Sequence, residues 1–217
     1  FLLERYKIAE GDFEAGFCIL PCELIDDNGG KLKEILMRHA DDWDLGNGFK
    51  GWLEHANTFY SSLVDRIVTG YPADADALQE KLGYKDKFMT VAEPFYFFAI
   101  QGPKEPLRVL HLEKLSPNVI ITDDITPYKQ RKVGLLNAAH TSLVPVAYLA
   151  GIDIVREAVE DEVVGSFLID LLEKELIPSL DLPKDELETF ARSVIRRFKN
   201  PFIEHKLLDI SLNSSSK

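Results

Sequence analysis

Residues 129–150 read KQRKVGLLNAAHTSLVPVAYLA, and this stretch decides how the chain divides. It is a long, mostly apolar run with the character of a helix, and Gly151 suits the C-terminal end of that helix. Pro145 is expected to kink or interrupt it, because proline removes a backbone N–H from the helix interior. Further helical patterns follow over 154–176, 187–195 and 202–212.

The part of the chain before Tyr128 mixes short apolar runs, typical of buried strands, with helical patterns. A turn at 26–30 begins a helical pattern over 31–40, and a second includes Trp52 and Phe59. The predicted strands are FCILPCELI (17–25), LVDRIV (63–68), FYFFAI (95–100), LRVLHL (107–112) and VIIT (119–122). The sequence therefore predicts an α/β domain over residues 1–128 and an all-α domain over residues 129–217.

The composition is that of a globular protein with an acidic surface. Of the 217 residues, 46% are hydrophobic and 28% are charged, and the formal net charge is −11. An acidic surface repels phosphate groups, so neither nucleic acid nor a membrane surface is an expected partner. No apolar run reaches the ~18–20 residues of a membrane span. Since there is neither a signal peptide nor an initiator Met, we expect a cytoplasmic protein and a piece excised from a longer one.

Two cysteines, Cys18 and Cys22, stand four positions apart. No second Cys/His pair completes a zinc site, and no other ligand spacing is apparent, so no metal is predicted. We expect both cysteines to be reduced, buried thiols of an intracellular protein.

Three residues of the long helix carry groups suited to proton transfer. Lys132, Asn137 and His140 fall within an arc of about 140° on one helix face. Apolar neighbours would desolvate the ammonium of Lys132 and lower its pKa, so that the amine exchanges a proton with a hydroxyl or carbonyl. Asn137 would donate to the oxygen on which charge develops, and His140 would hold a neighbouring hydroxyl or orient the lysine. Spacing alone leaves a plainer interpretation open: a solvated surface lysine beside two hydrogen-bonded core residues.

Several blocks of the sequence resemble the polyol and mannitol dehydrogenase family of long-chain reductases. The pattern Lys-x4-Asn-x2-His from Lys132 is similar to the family signature, and three further blocks agree with it. They are ILPCELID (19–26), LVDRIVTGYP (63–72) and RFKNPFI (197–203). The resemblance implies a Rossmann-type nucleotide domain, of which residues 1–128 are the distal part, and a helical catalytic domain like the C-terminal domain of 6-phosphogluconate dehydrogenase. It also implies NAD as cofactor, with Lys132 as acid/base, Asn137 at the alkoxide and His140 on the substrate.

The resemblance points to the branch of the family that acts on sugar acids. Many mannitol-type members carry Cys-Asp-Asn where this chain has Cys22, Glu23 and Leu24, and leucine cannot bind the reacting oxygen. The implied substrate pair is therefore tagaturonate and altronate, with fructuronate and mannonate, or a polyol such as mannitol, as alternatives. The residues that would contact the sugar acid are Asp65, Arg197, His205 and Lys206, with Arg197 as the carboxylate clamp.

The cofactor site is expected to lie mainly outside these residues. No G-x-G-x-x-G occurs in the chain, and the family places that segment upstream of Phe1. Glu23 and Val64 are the cofactor-binding candidates present. We predict weak NAD binding and little activity for the chain alone. Two other functions stay open: a non-catalytic helical interaction module, and a metal-dependent hydrolase using His111 and His140, which no ligand spacing supports.

Overall fold

The computed structural model describes residues 1–212, apart from the side chain of residue 113. It divides into two compact units. Unit 1 comprises Phe1–Val64 and Phe97–Thr126, and unit 2 comprises Asp65–Tyr96 and the chain from Pro127 onward. The boundary between Thr126 and Pro127 lies close to the predicted one at residue 128. Residues 65–96, which were predicted as part of the first domain, belong instead to the helical unit. Residues 213–217 of the predicted domain 129–217 lie outside the described residues.

The elements of residues 1–212 are short strands, α-helices, short 3₁₀ helices and two π-helical segments. In chain order the strands are β1 (Cys18–Ile19), β2 (Thr58–Phe59), β3 (Ser61–Asp65), β4 (Val68–Gly70), β5 (Val91–Ala92), β6 (Phe97–Gln101) and β7 (Val119–Thr122). The α-helices are α1 (Leu2–Ile8), α2 (Asn28–Asp42), α3 (Gly46–His55), α4 (Ala75–Leu82), α5 (Thr126–Arg131), α6 (Ala138–Leu149), α7 (Val155–Glu160), α8 (Glu162–Leu171), α9 (Lys184–Phe198) and α10 (Leu207–Ser211). The π-helical segments are Lys132–Asn137 and Leu172–Leu176.

Unit 1 has the α/β character that its sequence predicts. Strands β6 and β7 pair in parallel with Phe98 opposite Val119, in a sheet ordered β3-β6-β7. These strands come from apolar and β-branched runs, which suit a sheet with covered faces. Strands β1 and β2 form a second parallel pair, and helices α1, α2 and α3 pack a separate apolar cluster around the buried Trp52.

Two of the predicted strands of unit 1 differ from the structure. The run 17–25 is a strand only at β1, because Pro21 ends the ladder, and Leu24 and Ile25 beyond it are 82% and 56% exposed. The run 107–112 is a 3₁₀ helix over Glu105–Leu110, and Leu107 is its buried residue. The prediction that both cysteines are buried was wrong, since Cys18 and Cys22 are exposed; neither forms a disulfide.

Unit 2 is built on a helix that runs from α5 through the first π-helical segment into α6. Gly151 follows this helix with φ +82°, so it provides the predicted left-handed ending. Pro145 lies inside α6 and does not end it. Thr141 and Pro145 are both exposed, so water can solvate the carbonyl that loses its hydrogen bond. The predicted helix over 154–176 is divided at Asp161, whose carboxylate caps α8 by accepting from the N–H groups of Val163 and Val164.

The core of unit 2 joins its helices to the segment 65–96. Leu135, Leu143, Leu168 and Val194 are completely buried there, and Ile67 packs against the same cluster. Strands β4 and β5 form an antiparallel pair. Two acidic residues of the candidate site flank this pair in the sequence: Asp65, at the end of β3, and Glu93, directly after β5.

Candidate active site in the helical unit

The first π-helical segment begins at Lys132 and ends at Asn137. A π-helical turn closes with an i→i+5 hydrogen bond, and such turns are frequent at functional sites. Residues five positions apart therefore come closer around the axis than the roughly 140° that α-helical geometry gives them. The local backbone thus brings Lys132 and Asn137 toward one face more closely than the sequence pattern predicts.

Gly134 allows this segment to pack closely against Leu180. A Cβ atom at Gly134 would lie 2.7 Å from Cδ2 and 2.9 Å from Cδ1 of Leu180, shorter than real carbon–carbon contacts. The neighbouring Leu135 and Leu136 are buried in the core. The segment is held by apolar packing on this side, which fixes the position of Lys132 along the helix.

The ammonium group of Lys132 is partly withdrawn from water. Burial lowers the pKa of Lys132 below its ordinary value, the negative charge of Asp65 opposes that change, and the positive charge of Arg197 adds to it. The predicted desolvation of this lysine is therefore present, and it has a specific acidic partner. A buried lysine with a lowered pKa beside a charged group is the combination found at proton-transfer sites.

Asp65 and Arg197 form a buried ion pair with a third residue, Glu93. Nη1 and Nη2 of Arg197 donate to the two Asp65 oxygens at 3.0 and 2.7 Å. Nε donates to both Glu93 oxygens at 3.1 Å, and Nη2 donates to Oε1 at 2.8 Å. The side chains of Asp65, Glu93 and Arg197 are 4%, 2% and 5% exposed, and the Phe95 ring centroid lies 4.1 Å from Cζ of the guanidinium. We call Asp65, Glu93 and Arg197 the buried triad.

The buried triad changes the interpretation of two predicted substrate contacts. Arg197 was expected to clamp a substrate carboxylate and Asp65 to accept from substrate hydroxyls. In the structure the guanidinium binds two carboxylates of its own chain, and both oxygens of Asp65 accept from it. Burial alone would lower the pKa of Arg197, but hydrogen bonds to Asp65 and Glu93 raise it, so the guanidinium keeps its charge. These contacts give both residues a structural role, and their contact with a substrate stays a prediction.

His140 and His205 lie against each other in the same unit. The His140 ring stacks on Phe198 with a centroid distance of 4.2 Å, and meets the His205 ring edge-on at 5.0 Å. His140 is buried and His205 half-buried. Phe198 directly follows Arg197 on α9, so this helix carries contacts to both the buried triad and the histidine pair.

The remaining predicted residues lie at more open positions. Asn137 and Lys206 are exposed, and the backbone of Lys206 bridges Ile154. In unit 1, Glu23 is exposed and its carbonyl accepts from the Asn28 side chain at 3.0 Å. Val64 is half-buried on β3. The structure thus joins Lys132, Asp65 and Arg197 in one electrostatic group and His140 with His205 in another.

Glu93 is the functional residue that sequence reasoning missed. It occupies an apolar stretch, VAEPF, at residues 91–95. A lone carboxylate between apolar residues and a proline was the available signal, because such a group is buried only with a partner.

The described residues form neither a metal site nor a membrane-spanning helix. Within residues 1–212 we find no group of three or more His, Cys, Asp or Glu residues placed to hold a metal ion. In the same range, none of the helices has the length and apolar character that crossing a membrane requires.

The fold and site define a class of protein: a nucleotide-type α/β unit followed by a helical unit with a desolvated lysine, as in two-domain dehydrogenases. Residues 2–114 match the mannitol dehydrogenase Rossmann domain, and residues 124–217 match the mannitol dehydrogenase C-terminal domain. The chain belongs to the mannitol dehydrogenase family.

Individual relatives agree with this assignment. Over all 217 residues the chain is 54% identical to an altronate oxidoreductase of Pectobacterium atrosepticum and 53% identical to one of Yersinia enterocolitica. It covers 44% and 45% of those proteins, so it spans less than half their length. A solved D-sorbitol dehydrogenase without substrate superposes with TM-score 0.76 at 28% identity, over 96% of this chain and 42% of that one. The ternary complex of Pseudomonas fluorescens mannitol 2-dehydrogenase with NAD and D-mannitol superposes with TM-score 0.66 at 25% identity. The match covers 89% of this chain and 39% of that one.

Proposed function

We propose that the protein containing this chain is an NAD-dependent oxidoreductase that interconverts D-altronate and D-tagaturonate, with Lys132 as its acid/base. One observation carries the proposal: a chain this similar to altronate oxidoreductases holds a desolvated lysine beside a buried carboxylate. The sugar acid is the proposed substrate, and the cytoplasm, with its reduced cysteines, is the proposed compartment.

Lys132 handles the proton of the reaction. In reduction, its ammonium donates a proton to the carbonyl oxygen of the keto acid as that carbon accepts a hydride. In oxidation, its amine accepts the proton of the hydroxyl. The lowered pKa makes the amine more available, while Asp65 keeps the ammonium populated for the reductive direction.

The other predicted residues have supporting roles in this proposal. Asn137, on the same π-helical turn, donates its amide N–H to the oxygen on which charge develops. His140 contacts a neighbouring hydroxyl. Lys206 and His205 take over the contact with the substrate carboxylate, because Arg197 is bound to Asp65 and Glu93.

NAD, when bound, supplies or accepts the hydride. Unit 1 fits a nucleotide: β6 and β7 are parallel, and a cleft lined by Gln101, Gly102 and Asp123 opens where they end. Rossmann folds bind dinucleotides at the carboxyl ends of parallel strands. Because the chain has no glycine-rich phosphate motif, Glu23 and Val64 would contribute only peripheral contacts.

The alternatives differ in substrate or in class. The similarity to altronate oxidoreductases favours tagaturonate over fructuronate, and Leu24 in place of an asparagine disfavours mannitol. The absence of nucleic-acid, membrane and metal partners stays a prediction. So does the alternative of a non-catalytic helical module.

The test uses the full-length protein with NADH and a panel of tagaturonate, fructuronate and fructose. We expect tagaturonate to give the highest kcat/KM, and Lys132→Ala to lower kcat by about 10²–10⁴-fold. Lys184→Ala, on the exposed start of α9, is the matched control and should keep the wild-type rate. Preference for another keto compound, or full activity in Lys132→Ala, would contradict the proposal.

A further inference from the structure

Glu93 is a buried residue that binds the backbone of Ile67 on one side and the Arg197 guanidinium on the other. Its Oε1 accepts from the Ile67 N–H at 2.7 Å. Its own N–H donates to the Ile67 carbonyl at 3.1 Å, and its carbonyl accepts from Arg66 Nε at 2.9 Å. Glu93 is therefore bound to the residues directly before β4. The other hydrogen bonds of its carboxylate are to Arg197 on α9.

Glu93 and Asp65 bind different parts of the same guanidinium. Together they engage four of its five N–H groups: Nε, both on Nη2 and one on Nη1. The ring of Phe95 lies against the guanidinium. Arg197 cannot rotate without leaving a carboxylate buried and uncompensated, which is costly. The position of Asp65 is thus tied to Glu93 through Arg197.

The charges of the triad give Glu93 a second effect. Two carboxylates and one guanidinium carry one net negative charge. Without Glu93, Arg197 would balance Asp65, and the group facing Lys132 would be neutral. Asp65 and Arg197 act on Lys132 directly, and we expect the second carboxylate, Glu93, to act on it through Arg197.

We propose that Glu93 is a positioning residue for Lys132: it holds the Arg197 guanidinium and so fixes both the place of Asp65 and the net negative charge that acts on the lysine. This inference rests on the proposed function of Lys132. It assigns Glu93 no contact with the substrate.

Other charged groups near Lys132 were compared with the triad. The π-helical segment packs against α6, α9 and the second π-helical segment. Besides Arg197, the titratable and charged residues of those elements are His140, Tyr148, Glu173, Lys174, Glu175, Lys184, Asp185, Glu186, Glu188, Arg192 and Arg196. Asp65 and Arg197, both members of the buried triad, are charged groups that change the pKa of Lys132.

The experiment compares pH profiles of kcat/KM for the full-length protein and its Glu93→Gln variant. Removing the charge of Glu93 weakens the hold of Lys132 on its proton. We expect tagaturonate reduction, which needs the ammonium, to decline at lower pH than in the wild type. Altronate oxidation, which needs the amine, should begin at lower pH. Glu93→Asp keeps the charge and should retain the wild-type pH dependence even if its rate is lower. Glu188→Gln, on the solvent side of α9, controls for loss of one charge.

A direct titration separates this inference from the proposed function. Reductive ¹³C-methylation of the lysines and NMR follow the protonation of Lys132 without any substrate, and Lys132→Arg identifies its signal. A downward shift in Glu93→Gln but not in Glu93→Asp supports the inference even for another substrate. Unchanged titration in Glu93→Gln, or equal shifts in both variants, overturns it. If Glu93→Gln does not fold, Arg197→Lys keeps the charges but loses the bidentate contact that fixes Asp65. It should shift the Lys132 titration downward, and an unchanged or upward-shifted titration overturns the inference.

Discussion

Arg197→Met would remove the guanidinium that lies between two buried carboxylates. Methionine fills much of the space of the aliphatic stem and can pack on the Phe95 ring, so the loss is chiefly of charge and hydrogen bonds. Asp65 and Glu93 would then face each other with little access to water, since their side chains are 4% and 2% exposed. The variant isolates the contribution of the cation to the stability of the helical unit.

The expected loss of stability is large for a single substitution. Breaking a buried ion pair by removing one partner costs roughly 3–5 kcal/mol, mainly because the remaining charge is uncompensated. For a chain of this size 1 kcal/mol corresponds to roughly 2–4 °C, so the midpoint should fall by roughly 6–20 °C. Adding Asp65→Asn and Glu93→Gln to Arg197→Met should recover part of this loss, because the buried negative charges are then gone.

Thermal unfolding of the full-length protein, followed by far-UV circular dichroism, measures the effect. Arg196→Met is the matched control: the adjacent, exposed arginine should change stability by no more than about 0.5 kcal/mol. If Arg197→Met costs less than about 1 kcal/mol, or if the triple variant is no more stable than the single one, the triad is not the buried charged cluster described.

Three further predictions concern the lysine, its helix and the cofactor. Burial lowers the pKa of Lys132. As pH rises, the rate of reduction by the full-length enzyme should therefore fall, and the rate of oxidation rise, at a pH below the usual range of lysine. If the same pH dependence persists in Lys132→Ala, this prediction is refuted. Gly134→Ala places a Cβ 2.7 Å from Cδ2 of Leu180, and the shift this demands of Leu180 should offset the gain of about 1 kcal/mol that alanine brings to a helix. In a Leu180→Ala background the same change should be more favourable, and equal effects in urea unfolding would contradict the contact. The 217-residue chain should bind NAD weakly because it has no phosphate motif; tight binding by isothermal titration would show that the motif is not required.

The fold was predictable wherever local pattern decides structure. VIIT and FYFFAI contain strands because β-branched and aromatic residues suit a covered sheet, and the apolar run after Pro127 is helical. The strand predicted for LRVLHL was wrong: Pro106 lies at the start of a 3₁₀ helix in which Leu107 is buried while Val109 and Leu110 are exposed. The π-helical segment left no sequence signal, since its residues also suit an α-helix.

The candidate site was predictable only in part, for a physical reason. Lys132, Asn137 and His140 lie on one continuous helix, as the spacing predicts, but Asn137 is exposed while His140 is buried against Phe198. Arg197 contacts residues 132 and 104 positions away, and no periodicity reports contacts at that separation. The sequence marked Asp65 and Arg197 as important but gave them separate partners, because it does not show that they bind each other.

The charge balance of the site bears on the proton-transfer role proposed for Lys132. With Lys132 protonated, two carboxylates face two cations, and the buried group is neutral overall. Deprotonation of the lysine leaves one net negative charge in a poorly solvated place, which costs free energy and opposes the effect of burial. The protonated form of Lys132 therefore costs free energy because its ammonium is partly desolvated. The neutral form costs free energy because one carboxylate charge is left uncompensated. In the proposed reaction, Lys132 gives up a proton in one direction and takes it back in the other.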